Sequence, residues 1–306
     1  MQRELPLQLT ATIAYVGTRG RHLLVGQEIN PAVYVPGAST GGNVDARRIH
    51  QGFTAIQNTQ STGHSDYDAL QVSWNKRFSR GWSVLGSYVF SSSKDITSND
   101  GNSGNGNSSS NPRDPEADYG PSDFDVPHRL VGSLIWELPF FNSGTGWARA
   151  LLGGWQVNGI VTMQSGTPFS PMAGQNRSLV GGAGDRADLV GNAQVFSDRS
   201  QSDQVENYFD TTAFALPALG TFGTAGRNSL RGPGYSNTDM TLQKLFRMAD
   251  ERALEVRFEV FNLFNNPNFL SPNNQFCSRT VASCNFGRLT SARDPRIMQV
   301  GARFRF

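Results

Sequence analysis

MQVGARFRF, residues 298–306, closes the chain on two interleaved rows of side chains. Met298, Val300, Ala302, Phe304 and Phe306 share one face of an extended strand. Gln299, Gly301, Arg303 and Arg305 share the other, because strand side chains alternate with period two. Termini usually fray. A terminal stretch patterned to its last residue predicts instead a strand in a sheet with one apolar and one polar face.

The same alternation recurs upstream. It marks ALEVRFEVFNLF (253–264), NTDMTLQKLFRM (237–248), GWQVNGIVTMQSG (154–166) and HRLVGSLIWELPF (128–140). Further back come WSVLGSYVFSS (82–92), YDALQVSWNKRF (67–78) and LPLQLTATIAYVG (5–17). With the last stretch, about 296–306, this makes about eight strands and almost no helical periodicity. Each spans roughly 10–12 residues, against about 5–6 for an ordinary strand and about 9–11 for one that crosses a bilayer at a tilt. Hydrophobic residues make up only 37% of the chain, and mean hydropathy is −0.40. No stretch reaches the ~18 apolar residues of a membrane helix. A membrane β-barrel stays open, because its strands are only half apolar. The 33 glycines, 20 phenylalanines and 17% charged residues suit a loop-rich β protein.

The connections sort by length. Long ones at about 18–66, 93–127, 167–236 and 265–295 alternate with short ones at about 79–81, 141–153 and 249–252. Outer-membrane barrels have this asymmetry, with short periplasmic turns and long extracellular loops. The fold expected is therefore all-β: an antiparallel transmembrane β-barrel whose long loops are extracellular. Phe78, Trp82, Trp136, Phe140, Trp155, Phe246, Phe304 and Phe306 map near the periplasmic rim, and Tyr15, Tyr88 and Phe90 near the outer one. Lys76 and Lys244 interrupt the lipid register near the periplasmic end, where a long stem can carry the ammonium to the headgroups. Glu255, Arg257, Glu259, Arg303 and Arg305 take the lumen register and can pair across strands.

Little in the loops points to chemistry. They read as solvated coil, above all the Gly/Asn/Ser-rich stretch SNDGNSGNGNSSSNP (98–112), expected to be mobile. His22, His50, His64 and His128 are scattered and show no metal-ligand spacing. Asp118, Asp123 and Asp125 before a strand fit turn chemistry with local pairing to Arg129; a Ca²⁺ site is the alternative. GTFGTAGRNSLRGPG (220–234) lacks the lysine of a phosphate loop, so its glycines are expected to allow a bend back into a strand. No catalytic set, metal site or cofactor is expected, and a net charge of +2 gives no reason to expect nucleic acid. Cys277 and Cys284 bracket six residues, and in an oxidising compartment a local disulfide is expected; two free thiols are the alternative. MQRELPLQLT (1–10) has no apolar signal core, so an exported chain is expected to be a fragment or to start upstream.

Several segments resemble TonB-dependent outer-membrane receptors of the Oar-like type. They are FDTTAFALPALGTFGTAGRNSLRGPGYSNTDMTLQKLF (209–246), RFEVFNLFNNPNF (257–269) and FGRLTSARDPRIMQVGARFRF (286–306). SDYDALQVSWNKRFSRGWSVLGSYVFSSSKD (65–95), DYGPSDFDVPHRLVGSLIWELPF (118–140) and LLGGWQVNGIVTMQSGTPF (151–169) extend the likeness over nearly the whole chain. The resemblance implies the C-terminal portion of a 22-stranded barrel, with signal peptide, plug and upstream strands absent from these 306 residues. It implies outer-membrane lipid, the barrel assembly machinery and an unknown transported substrate as partners. A TonB complex would be reached only through the missing N-terminal part. Met298, Val300, Ala302, Phe304 and Phe306 would be the assembly signal in the outer membrane of a Gram-negative bacterium. A complete eight-stranded anchor or adhesin and a soluble β-rich binding protein are the alternatives.

Overall fold

The computed structural model describes residues 1–306 except 99–108, 142–145, 183, 197–198, 249–251 and 278–282. One antiparallel sheet dominates it. Its strands, in chain order, are β1 (Gln2–Leu5), β2 (Leu9–Glu28), β3 (Gln57–Ser79), β4 (Trp82–Asp95) and β5 (His128–Glu137). They are followed by β6 (Trp155–Gln164), β7 (Tyr235–Arg247), β8 (Ala253–Phe261) and β9 (Ile297–Arg305). Each pairs with the next, and a two-residue strand, Gly120–Pro121, adds to the end of β4. Among the described residues β1 pairs only with β2, and β9 only with β8, so the sheet has two free edges.

Among the described residues the wall has nine strands where the alternation predicts about eight. The first expected strand, 5–17, breaks at Pro6, whose ring fixes its backbone and removes a ladder donor. Leu7 and Gln8 follow at φ 66° and 61°, so Leu5 and Leu7 leave the apolar row and β1 folds back as a hairpin on β2. The expected loop 18–66 is also shortened. β2 and β3 run 20 and 23 residues and pair out to Glu28 and Gln57, leaving only 29–56 as the connection. Alternating hydrophobicity marks the part of a hairpin that needs an apolar face. Beyond it the ladder continues on polar cross-strand pairs: Arg19 meets Asp68 at 2.8 Å and Arg21 meets Asp66 at 2.9 Å.

Register aligns the expected rows. Tyr15 sits opposite Leu70, and Leu70 opposite Phe90. Trp82 faces Trp136, and Phe304 faces Leu254. The apolar face is uncovered: Tyr15 is 70% exposed, Val300 71% and Phe304 51%. No helix among the described residues is long and apolar enough to cross a membrane. The helices α1 (Trp147–Leu152) and α2 (Gln201–Glu206) have six residues each. The sheet thus has a turn end, with connections 80–81, 138–154 and 248–252, and a loop end, with 29–56, 96–127, 165–234 and 262–296.

The hydrophobic core lies at the loop end, not in the wall. Phe169, Tyr208, Phe209, Phe214, Leu230, Phe286 and Leu289 pack together there. Phe209 is 1% exposed, with Phe286 edge-on at 5.1 Å and Phe214 at 5.8 Å between ring centroids. Loops read as solvated coil form a packed cap, because the FDTTAF stretch (209–214) and Phe286 bring enough aromatic surface to exclude water. The low-complexity stretch 98–112 lies mostly outside the described residues; at its end Ser109 and Ser110 are held by Asp118.

Candidate functional site

The strongest side-chain constellation joins two connections of the cap. Segment 118–125 supplies acids and segment 186–231 supplies arginines. Arg186 donates to Asp118, both side chains being buried. Arg227 donates to Asp95 at 2.7 Å and to Asp123 at 3.1 Å. Arg231 donates to Asp125 at 2.6 Å and to the carbonyls of Asp125 and Gly166, each at 2.8 Å. Asn228 adds its amide to Asp123 at 2.6 Å and to the Pro121 carbonyl at 2.8 Å. The acids therefore pair with these distant arginines and not with Arg129, which is in β5 opposite Gln164. Each carboxylate of the trio faces a guanidinium, and no group of three or more His, Cys, Asp or Glu among the described residues could hold a metal ion, so the Ca²⁺ alternative has no donor set there.

Burial alone would raise the Asp118 carboxyl. The Arg186 charge, with hydrogen bonds from Ser109 and the Ser110 backbone, outweighs that and holds it below the usual aspartate range. Tyr208, in the core beneath, is pushed up to about 12 by burial. Its hydroxyl donates to the Arg231 carbonyl at 3.1 Å, tying the core to the ion pairs. The glycines of 220–234 serve close approach as much as bending. A Cβ on Gly223 would lie 1.9 Å from the Arg186 carbonyl, and one on Gly120 would lie 2.7 Å from that of Arg227.

Sequence reasoning missed Arg186, Arg227, Asn228 and Arg231. The signal was present as two arginines in a glycine-rich loop and four acids around a Gly-Pro turn, separated by about a hundred residues. Charge types alone do not say which distant partner wins.

The other loop-end groups are structural. Asn30, fully buried, accepts from His50 N at 2.6 Å and donates to Thr54 O at 2.9 Å. Glu28 accepts from Asn30 N at 2.7 Å and Ile56 N at 3.0 Å. Cys277 and Cys284 are disulfide-linked, with Cα atoms 5.6 Å apart, and both pack on the aromatic core. His22, His50, His64 and His128 fall at separate places. His64 tilts against Tyr119 and His128 bonds Tyr88 at 2.7 Å.

At the turn end the lysines do not extend to the headgroups as expected. Lys76 is 2% exposed and donates to the carbonyls of Arg77, Ser79 and Trp82 at 2.8–3.1 Å, with the Trp82 ring centroid 3.9 Å away. Lys244 donates to the Gly153 carbonyl beside Trp155 and Phe246. Tight turns leave carbonyls without a ladder partner, and an ammonium folded back under an aromatic ring satisfies them. On the polar face Arg305 reaches Glu255 across strands at 3.2 Å, and Gln299 donates to Glu259 at 2.6 Å. Leu85, Ile135 and Ile160 also stand exposed on that face, which strict alternation does not anticipate.

An all-β wall with an exposed apolar face, aromatic rows and alternating connection lengths has its counterpart among known proteins. Residues 1–299 match the family described as outer membrane beta-barrel domain. The chain belongs to that family. This outer membrane beta-barrel domain lies in the outer membrane, and its exposed apolar face is the lipid face. A comparison with curated proteins finds no match. Among solved structures the chain is similar to the outer membrane transporter YddB from Escherichia coli, at 10% identity and a TM-score of 0.48. The likeness covers 99% of this chain and 31% of that one, so the domain spans under a third of that transporter's length. Within the family assignment, Met298, Val300, Ala302 and Phe304 are a lipid-facing row on β9, each opposite a β8 residue: Val260, Phe258, Val256 and Leu254. Phe306 is fully exposed beyond them, its ring 6.3 Å from that of Phe304.

Proposed function

We propose that this domain is the C-terminal wall of a TonB-dependent outer-membrane receptor of the Oar-like type, with the loop end facing outward. The observation that carries this reading is the open sheet. A wall in lipid leaves no strand edge unpaired, because a bare edge strands backbone groups in hydrocarbon. Among the described residues β1 and β9 pair with no strand on their outer sides, and in this reading further strands complete the circuit. The polar face then lines a substrate path filled by a plug. Leu85, Ile135 and Ile160 on that face suit a packed protein partner better than open water. In this reading the domain catalyses no reaction. It meets lipid on one face, the assembly machinery through β9, and a TonB complex only through the plug-bearing part of the protein.

A complete eight-stranded anchor would need the first and last strands to pair, and among the described residues they do not. A soluble binding protein does not accord with the family. The test is the reading frame upstream of Met1, expressed with the domain. Further strands and a plug-sized segment are expected, and deleting that segment should open a large conductance in planar bilayers. A self-sufficient, non-conducting barrel made by the 306 residues alone would contradict the reading.

A further inference from the structure

We propose that the connection 138–154 is a membrane foot: α1 lies along the surface of the leaflet at the turn end and seats Trp147, Leu151 and Leu152 among the phospholipid chains just below the headgroups. The inference needs only that the turn end meets a bilayer surface, whichever way the wall points. LPFFNSGTGWARALLGG (138–154) carries one charge, Arg149. The connection 248–252, at the same end of the wall, reads MADER and carries three. The apolar side chains of 138–154 are uncovered: Trp147 is 74% exposed, and Phe140, Phe141, Leu151 and Leu152 are exposed with it. A cluster of that kind marks a surface that meets something other than water.

Helical spacing sorts α1 into two faces. Arg149 and Ala150, with Gly153, turn toward a cavity of about 1000 Å³ that Gln156, Gln243 and Glu255 of the polar register also line. Trp147, Leu151 and Leu152 lie on the opposite side of the helix. Two bonds fasten α1 to the lipid edge of the wall. Trp155 and Lys244, opposite each other in the lipid-facing register, donate to the carbonyls of Leu151, at 3.0 Å, and Gly153. Trp136 on the same face holds the Phe140 ring edge-on at 6.4 Å. The lipid face of the wall therefore continues into this connection, and that continuity selects a bilayer over a soluble partner. Six residues would not bind a membrane alone, since so short a helix is marginal in water. Here β5 and β6 hold both ends of the connection at the bilayer edge. An interfacial helix seats its apolar face about 5–10 Å into the boundary between headgroups and chains, with its polar face outward, and α1 has both faces.

The test places an NBD fluorophore on Leu151→Cys, Leu152→Cys or Arg149→Cys in full-length protein without other reactive thiols. Each variant is reconstituted in phosphatidylethanolamine–phosphatidylglycerol vesicles, with folding confirmed on an unheated gel. The probes at 151 and 152 should lose more emission to lipid carrying a doxyl quencher near the headgroup than to lipid carrying it at the chain end. Iodide on both sides of the membrane should quench them far less than the probe at 149. Equal iodide quenching at all three positions, with no quenching by lipid, would put the helix in water and overturn the foot. Shielding of 151 and 152 from both quenchers would show a protein cover and overturn it as well. Val300→Cys, labelled in the same way, reports the wall separately: quenching there by lipid keeps the wall in the membrane whatever α1 does.

Discussion

Arg227 donates to the Asp95 carboxylate at 2.7 Å across 132 positions of chain. Asp95 ends β4 and Arg227 lies in the connection before β7, so this contact fastens a long loop to the wall. Both side chains are buried, at 12% and 4% exposure, and the same guanidinium also holds Ser98 and Asp123.

Arg227→Ala should release the cap without unfolding the wall. Removing one partner of a buried pair leaves a charge without compensation, a loss of about 3–5 kcal/mol. Hydrogen exchange should rise through 118–125 and 220–234, while β7 and β8 stay protected. Arg227→Lys should fall between, because an ammonium cannot span Asp95 and Asp123 as the fork does. Unchanged exchange in the alanine variant would show that the contact does not hold the cap.

The cap should loosen in acid through Asp118. Its folded carboxyl titrates below the ordinary value of 3.8, so its stabilisation is complete above that value and is lost as pH falls through the depressed one. Proteolysis of the 96–127 connection should therefore accelerate only below about pH 4. Asp118→Asn should be cleaved faster at neutral pH and lose that acid dependence.

Phe209→Ala should cost the cap about 3–5 kcal/mol, since it opens a cavity among Phe169, Phe214 and Phe286. Protection of the 165–234 connection should fall, and heat-modifiable migration of the barrel should persist. Loss of both together would mean that cap and wall fold as one unit.

Non-reducing peptide mapping of protein from the outer membrane should recover Cys277 linked to Cys284. Two freely alkylated thiols would contradict this. Closing so short a loop contributes roughly 2–3 kcal/mol, so reduction should loosen the region around Phe276 and Phe286 first.

Much of the wall was legible because a membrane imposes one rule on every crossing strand. Val300, Phe258, Leu242, Val157, Leu134 and Val84 repeat the same alternation, and turn position follows from where it stops. The rule ends at the bilayer edge. The outer half of β2 and β3 carries Arg19, Arg21, Asp66 and Asp68, which look like loop until their register is known. Pro6 was visible, but its effect depended on Leu7 and Gln8 adopting positive φ. The cap was illegible for another reason. Its contacts join residues 68 to 132 positions apart, and no local period records that Asp118 meets Arg186 or that Phe209 meets Phe286. Lys76 and Lys244 keep the register and strand end that the alternation predicts, yet their partners are turn carbonyls, which carry no side-chain signature.

Replacing Phe304 and Phe306 together with Ser should leave synthesis and export intact and sharply lower heat-modifiable protein in the outer membrane, because β9 loses its lipid-facing aromatics. Arg305→Gln, on the polar face, should be milder. Normal assembly of the double variant would remove β9 from the membrane wall.

The central claim, a membrane wall with its cap outside, is tested most directly by labelling intact cells with a membrane-impermeant maleimide. Gln201→Cys, exposed at the start of α2 in the cap, should be labelled at once in the full-length protein. Arg149→Cys, exposed in α1 at the turn end, should react only after the outer membrane is permeabilised. Labelling of Arg149→Cys alone would invert the orientation, and equal labelling of both on intact cells would contradict a membrane between them.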